Sequence, residues 1–295
     1  MGRPQTIQIY LPSGDPAGLR IASLTTRTVR VFDVPRSLLP EFLGRPEAQQ
    51  VGVYYLFSSG EEETPRCYIG QSGNVGSRLK RHGNEKEFWT KAMVAVSLTN
   101  EWTVTHAAYL EWASIARARA VGRYQMVNGN QATNPFTPEP LEADCQEFID
   151  TIAVLLATLG EPVLESPRPS QPGATGAEDA LLHFRERGCE ATGYQTPEGL
   201  LVLAGARGRT NLLPSAAKGL QRQRDALLAD GVTDGGIPVF TFLKDHLFPS
   251  PSAAGCFLVG GSNNGRNSWK NAAGQSISVL EQLAIGSSAV SEEQD

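Results

Sequence analysis

The stretch that decides the reading of this chain is Gly52-Val53-Tyr54-Tyr55-Leu56-Phe57, followed by Cys67-Tyr68-Ile69-Gly70 and Gly73-Asn74-Val75-Gly76-Ser77-Arg78-Leu79-Lys80-Arg81-His82. The first piece is aromatic and β-branched, which favours a strand. Ser58 to Arg66 carries Gly60, Glu61-Glu62-Glu63 and Pro65 and reads as a hairpin loop with a solvated acidic tip. A second strand is expected to stop at Gly70. The glycine-rich turn then opens a helix on which Arg78 and His82 stand at i and i+4, on one face. Two tyrosines from adjacent strands, an arginine and a histidine are thereby brought toward one small surface. Phosphodiester hydrolysis uses groups of this kind: a phenol to take a proton, a guanidinium for phosphate charge and an imidazole to tune the phenol.

The triplets Gly52-Val53-Tyr54 and Tyr68-Ile69-Gly70, with Arg78 and His82 downstream, resemble the GIY-YIG nuclease family. Valine replaces isoleucine in the first triplet and keeps its β-branched character. The fold class implied is α+β: a three-stranded antiparallel sheet flanked by helices, preceded by a short β unit and followed by a second small α+β domain. Ala92 to Leu98 reads as the third strand, and a helix capped by Thr103 or Thr105 follows to about Gly122. Glu111 is the acidic residue of that helix, set among Ala, Leu, Trp and Ile. The resemblance makes it a metal ligand, and a single carboxylate suits Mg²⁺, with Mn²⁺ the alternative. It also implies an asparagine shortly after that helix, for which Asn128 is the candidate and Asn130 the alternative.

The implied activity is hydrolysis of DNA phosphodiesters by a metal-dependent endonuclease. Tyr54 is favoured as the base, with Tyr68 adjacent. Arg78, His82 and the metal are expected to lower the phenol's pKa, so that loss of His82 is milder than loss of Tyr54. Rival readings are a catalytically inactive DNA-binding or regulatory protein on the same scaffold, and a nucleotide-binding enzyme. The latter is disfavoured because Gly70 to Gly76 fits neither the Walker nor the dinucleotide spacing.

Outward from that centre, residues 1–45 read as a small β unit with two alternating strands, 6–10 and 28–32, and with Arg27, Arg30 and Arg36 as a basic edge. The nuclease domain is placed at 46–160, closed by an amphipathic helix over Leu141–Leu159. A proline-rich linker follows at 161–177, and a second domain at 178–290. That domain resembles the domain of unknown function that often follows a GIY-YIG domain, through its Ser-Pro-Ser-Ala-Ala helix and its Asn-Gly-Arg…Trp-Lys ending. A strand over Leu200–Ala204 and a helix over Ser215–Ala229 are expected within it.

Net charge is −5 over 295 residues, but it is uneven: +3 in 1–45, −4 in 46–160 and −3 in 178–295. Phosphates respond to local clusters, not to totals. In the nuclease region the cluster is Arg78, Lys80 and Arg81. In the second domain it is Arg207, Arg209, Lys218, Arg222 and Arg224, within an acid-free segment from Gly205 to Arg224. Trp269, between Arg266 and Lys270, is a stacking candidate whose alternative is core packing. DNA is the expected partner. The four cysteines, 67, 145, 189 and 256, form no CxxC pair, so neither a zinc site nor a disulfide framework is indicated. With no apolar signal core and no membrane span, a cytoplasmic location is expected.

Overall fold

The computed structural model describes residues 4–59, 65–129, 136–166, 180–216 and 219–283. The chain divides into two units, Met1–Ser166 and Pro167–Asp295. Both are mixed α and β, each with a multi-stranded sheet. Among the described residues no helix is long and apolar enough to cross a membrane.

The first unit contains β1 (Ile7–Tyr10), β2 (Arg20–Leu24), β3 (Val29–Pro35), α1 (Leu39–Leu43), β4 (Gly52–Phe57), β5 (Arg66–Ser72), α2 (Val75–Glu85), β6 (Lys91–Ser97), α3 (Val104–Val121), β7 (Gln125–Met126) and α4 (Glu139–Thr158). Its sheet runs β1-β2-β3-β6-β4-β5-β7, antiparallel except for the β5–β7 pair. The three expected strands are present as β6-β4-β5, but they are the middle of a seven-stranded sheet. Residues 1–45 do not stand apart. β3 pairs with β6 along its whole length, from Val29 opposite Ser97 to Pro35 opposite Lys91.

All six residues of β4 are buried, because this central strand has a helical layer on each face. Val53, Tyr55 and Phe57 pack with Leu110, Ile115, Ile152 and Leu156 of α3 and α4. Tyr54 and Leu56 face the other way, onto Phe42 of α1, Leu79 of α2 and Trp89. Strand alternation thus sends Tyr54 to the α2 layer and Tyr55 to the α3 layer, where the Tyr55 hydroxyl meets Ser114 Oγ at 2.8 Å.

One expected boundary moves. Glu161 to Ser166 belong to the first unit, because Val163 and Leu164 are buried in its core and Arg117 Nε donates to the Leu164 carbonyl at 2.7 Å. The rest of the expected linker lies outside the described residues, as do Glu61–Glu63, Asn130 and Lys218. The arginines of the expected basic edge are engaged within the protein. Arg27 pairs with Glu147 and Arg30 with Glu47, while Arg36 lies over the Trp89 ring and donates to the Gly83, Glu87 and Trp89 carbonyls.

The second unit contains β8 (Leu181–Glu186), β9 (Cys189–Thr196), β10 (Gly199–Val202), β11 (Arg207–Arg209), α5 (Leu220–Ala229), β12 (Val239–Thr241), β13 (His246–Phe248), α6 (Pro251–Val259), α7 (Gly265–Ser268) and β14 (Trp269–Lys270). Its strands order as β12-β11-β9-β10-β13, with β8 bridging β9 and β14. Phe240, Phe242, Phe248 and Phe257 fill the core between sheet and α6. The helix expected from Ser215 begins instead at Leu220, after Gly219 in the left-handed conformation. Ser215 is used elsewhere: its Oγ accepts from the Ser262 amide at 3.2 Å, and its carbonyl accepts from Ser262 Oγ at 3.1 Å.

Candidate active site

The site lies where β5 passes the end of its short neighbour. β7 covers only Arg66 and Cys67 of the outer edge of β5. Beyond it the Asn128 side chain imitates a strand: its Oδ1 accepts from the Ile69 amide at 3.1 Å and its Nδ2 donates to the Ile69 carbonyl at 2.7 Å. Two residues on, by strand alternation, Gln71 presents its backbone N–H along the same edge. Glu111 of α3 sits at that amide, which, with the Arg78 guanidinium, counteracts the rise in the Glu111 pKa caused by burial.

Tyr54 comes from the other face of the sheet. Gly70 does not end β5, which continues to Ser72. It is the Cα partner of Tyr54, and a Cβ there would collide with the Tyr54 hydroxyl and ring. The glycine therefore makes room for the phenol. That hydroxyl is 2.9 Å from His82 Nε2 and accepts from Arg78 Nε at 3.3 Å. Arg78 and His82 share the face of α2 that packs on the sheet. Asn74 starts this helix by accepting from the Ser77 amide at 2.9 Å. Tyr68 is half-buried beside them, its ring centroid 6.3 Å from Tyr54 and 5.4 Å from His82. Tyr54, Tyr68, Arg78, His82 and Glu111 are thus brought together, with Asn128 bracing the strand that carries Tyr68.

The protein's own groups do not lower the phenol pKa. Burial raises the Tyr54 pKa above the ordinary tyrosine value, and the neighbouring Arg78 does not reverse that. His82 moves the other way, down to about 4, through burial first and then Arg78, Lys86 and Arg81. At neutral pH the site therefore holds a neutral phenol against a neutral imidazole, with a permanent cation beside them. Tyr54 is fully buried and Tyr68 keeps some solvent contact.

Three supporting residues were not placed at this site from the sequence, Arg36 having been read as part of a basic edge. Trp89 Nε1 donates to the His82 carbonyl at 3.3 Å, Arg36 holds the same helix end through Gly83, and the Lys86 ammonium lies 4.5 Å above the Tyr68 ring. Only Lys86 had a local signal, as the next i+4 step after Arg78 and His82.

A lone, half-buried oxygen donor such as Glu111 fits Mg²⁺ or Mn²⁺, which keep waters and take further ligands from a phosphate. Among the described residues no group of three or more His, Cys, Asp or Glu forms a ready-made cage. Glu111 is the carboxylate donor the site offers.

The other candidate contacts divide. Lys80 and Arg81 are exposed on α2, with Arg81 paired to Glu85 at 3.5 Å. In the second unit Arg207 and Arg222 are exposed and Arg209 is half-buried. Arg224 is not available to a ligand. It is buried over the Phe240 and Phe257 rings and donates to the Thr210 carbonyl at 2.7 Å and to that of Phe257, at the end of α6. A cation there complements the helix C-terminus. Trp269 is also core, packed on Phe184 with centroids 5.1 Å apart, so it is no stacking platform. The Ser-Pro-Ser-Ala-Ala and Asn-Gly-Arg pieces meet for packing: a Cβ on Gly265 would strike the Pro251 carbonyl, and one on Gly255 would strike Asn263.

Residues 182–281 match the model of a family described as a domain of unknown function (DUF4357). No GIY-YIG family match accompanies it. No curated protein and no solved structure matches the chain.

Proposed function

We propose that the first unit is a magnesium-dependent endonuclease that hydrolyses DNA phosphodiester bonds in the GIY-YIG manner, and that the second unit assists DNA binding. The observation that supports this reading is the bonded trio Tyr54–His82–Arg78 at the sheet edge where Glu111 also ends. The residues suit a proton relay. Tyr54 takes the proton of the attacking water while its own hydroxyl proton passes 2.9 Å to His82 Nε2. A neutral His82 with its hydrogen on Nδ1 is the acceptor this requires, and its low pKa keeps it neutral. The relay needs no standing tyrosinate, which burial of Tyr54 disfavours. Arg78 covers the phenol oxygen in the free protein. A phosphate draws that guanidinium onto its own oxygens, which exposes the phenol and neutralises charge on the pentacovalent phosphorus. Glu111 would hold Mg²⁺, which would supply further charge neutralisation to a bound phosphate.

Cleavage by site variants tests this. Tyr54→Phe, Arg78→Ala and Glu111→Gln should each lose activity by about 10²- to 10⁴-fold. His82→Ala should fall as far as Tyr54→Phe, because both break one relay. Near-wild-type cleavage by Tyr54→Phe would transfer the base to Tyr68 or to a metal-bound water. A milder loss in His82→Ala would reduce the imidazole to orienting the phenol.

A further inference from the structure

The second unit holds a groove of about 460 Å³, walled by the β8–β9 hairpin from Arg185 to Glu190 and by Arg207 of β11. Arg185, Arg187 and Arg207 are all exposed, and their guanidiniums have no ion-pair or hydrogen-bond partner among the described residues. The two local carboxylates do not neutralise them. Glu186 is turned inward, where its Oε2 accepts from Asn263 Nδ2 at 2.7 Å and its Oε1 from Ser268 Oγ at 2.6 Å. Glu190 stands between Arg185 and Arg207 as the cross-strand partner of both, which leaves three cations around one uncommitted carboxylate.

The turn at the groove rim points the same way. Glu186 pairs with Cys189, so Arg187 and Gly188 form a two-residue hairpin loop, and both have positive φ, 53° and 78°. That is the type I′ pattern, in which Asn, Asp or Gly is the favoured first residue. An arginine in the left-handed region is uncommon, and such outliers concentrate at working sites.

We infer that this groove binds phosphate oxyanions, supplied by the backbone of a polynucleotide lying across the hairpin. The walls carry no aromatic ring on which a base could stack, so the contact is to phosphates and indifferent to sequence. A free diphosphate shares the same chemistry and is the other source. Only the choice of a polynucleotide rests on the DNA-directed reading above.

The test uses the full chain in EDTA, so that no cleavage enters, with a fluorescein-labelled 20-mer duplex followed by anisotropy and pyrophosphate followed by calorimetry. Removing Arg185, Arg187 and Arg207 together as Gln, Asn and Gln should weaken duplex binding and lower the slope of log K against log salt by about one per arginine. Arg187→Asn alone suits the turn, so it should hold or raise the melting temperature while weakening binding, which separates contact from fold. Glu190→Gln should tighten binding, a gain that structural damage does not produce. Lys244→Gln, an exposed cation outside the groove, should change little. If the triple variant loses pyrophosphate but keeps the duplex, the oxyanion site stands and its source is the free diphosphate. Unchanged affinity for both, weakening by Glu190→Gln, or an equal loss with Lys244→Gln would overturn the groove. Cleavage measured on the same preparations is an independent readout. Cleavage with groove-independent binding removes the groove alone, and groove-dependent binding without cleavage removes the nuclease reading alone.

Discussion

At the scale of single residues, the site depends on a close approach between Gly70 and Tyr54. The phenol has no room to yield, because His82 and Arg78 hold its oxygen and the rest of the ring is buried. Gly70→Ala should therefore cost about 1–3 kcal/mol as an overpacking change, read as a lower denaturation midpoint, and should abolish cleavage with it. An alanine variant of wild-type stability would show that the ring can move aside. His82 gives a second expectation. Its folded pKa of about 4 lies below the ordinary 6.5, so the unfolded chain binds more protons between those values. Stability contributed by neutral His82 is present above pH 6.5 and is lost as pH falls toward 4. The difference in stability between wild type and His82→Gln should vary across that window and be flat above it. A constant difference from pH 4 to 8 would contradict the buried neutral imidazole.

The candidate residues were legible because their signals are local. Strand alternation separates Tyr54 from Tyr55, and one helical step places His82 on Arg78. The arginines were misread for the opposite reason. Arg224 looks like part of an acid-free basic run, yet Phe240 and Phe257, which bury it, are distant in sequence. Charge pattern reports which residues are basic and nothing about which of them fold inward.

At the scale of elements, the strand pairing least visible in sequence is the one that completes the sheet. Both β3 and β6 show apolar alternation or runs, but nothing in either names the other as its neighbour. A pairing across 56 to 68 residues is a property of the tertiary fold. The consequence is specific. Deleting residues 1–45 strips the partner from β6 and removes Arg36, which braces α2 through Gly83 and Trp89. A 46–166 fragment should aggregate or lack cooperative thermal unfolding, whereas 1–166 should unfold in one transition, as circular dichroism can show. A folded, soluble 46–166 fragment would mean that the first three strands are an accessory after all.

At the scale of the whole molecule, two units divide the chain and the work proposed for it. The expected nuclease region carries −4, and Lys91 and Arg117 are engaged in ion pairs within it, so the proposed function looks to the second unit for further phosphate contacts. Arg185, Arg187 and Arg207 are such a source, and two of them lie outside the segment that charge counting selected. The central claim remains hydrolysis at the sheet edge. The most direct measurement is nicking of supercoiled plasmid by the purified full-length protein, with Mg²⁺ or EDTA, beside Glu111→Gln. The account predicts conversion to open-circular or linear DNA by the wild type in Mg²⁺ only, and none by Glu111→Gln even though the variant binds the plasmid equally well. Equal nicking by the variant, or activity indifferent to EDTA, would contradict it.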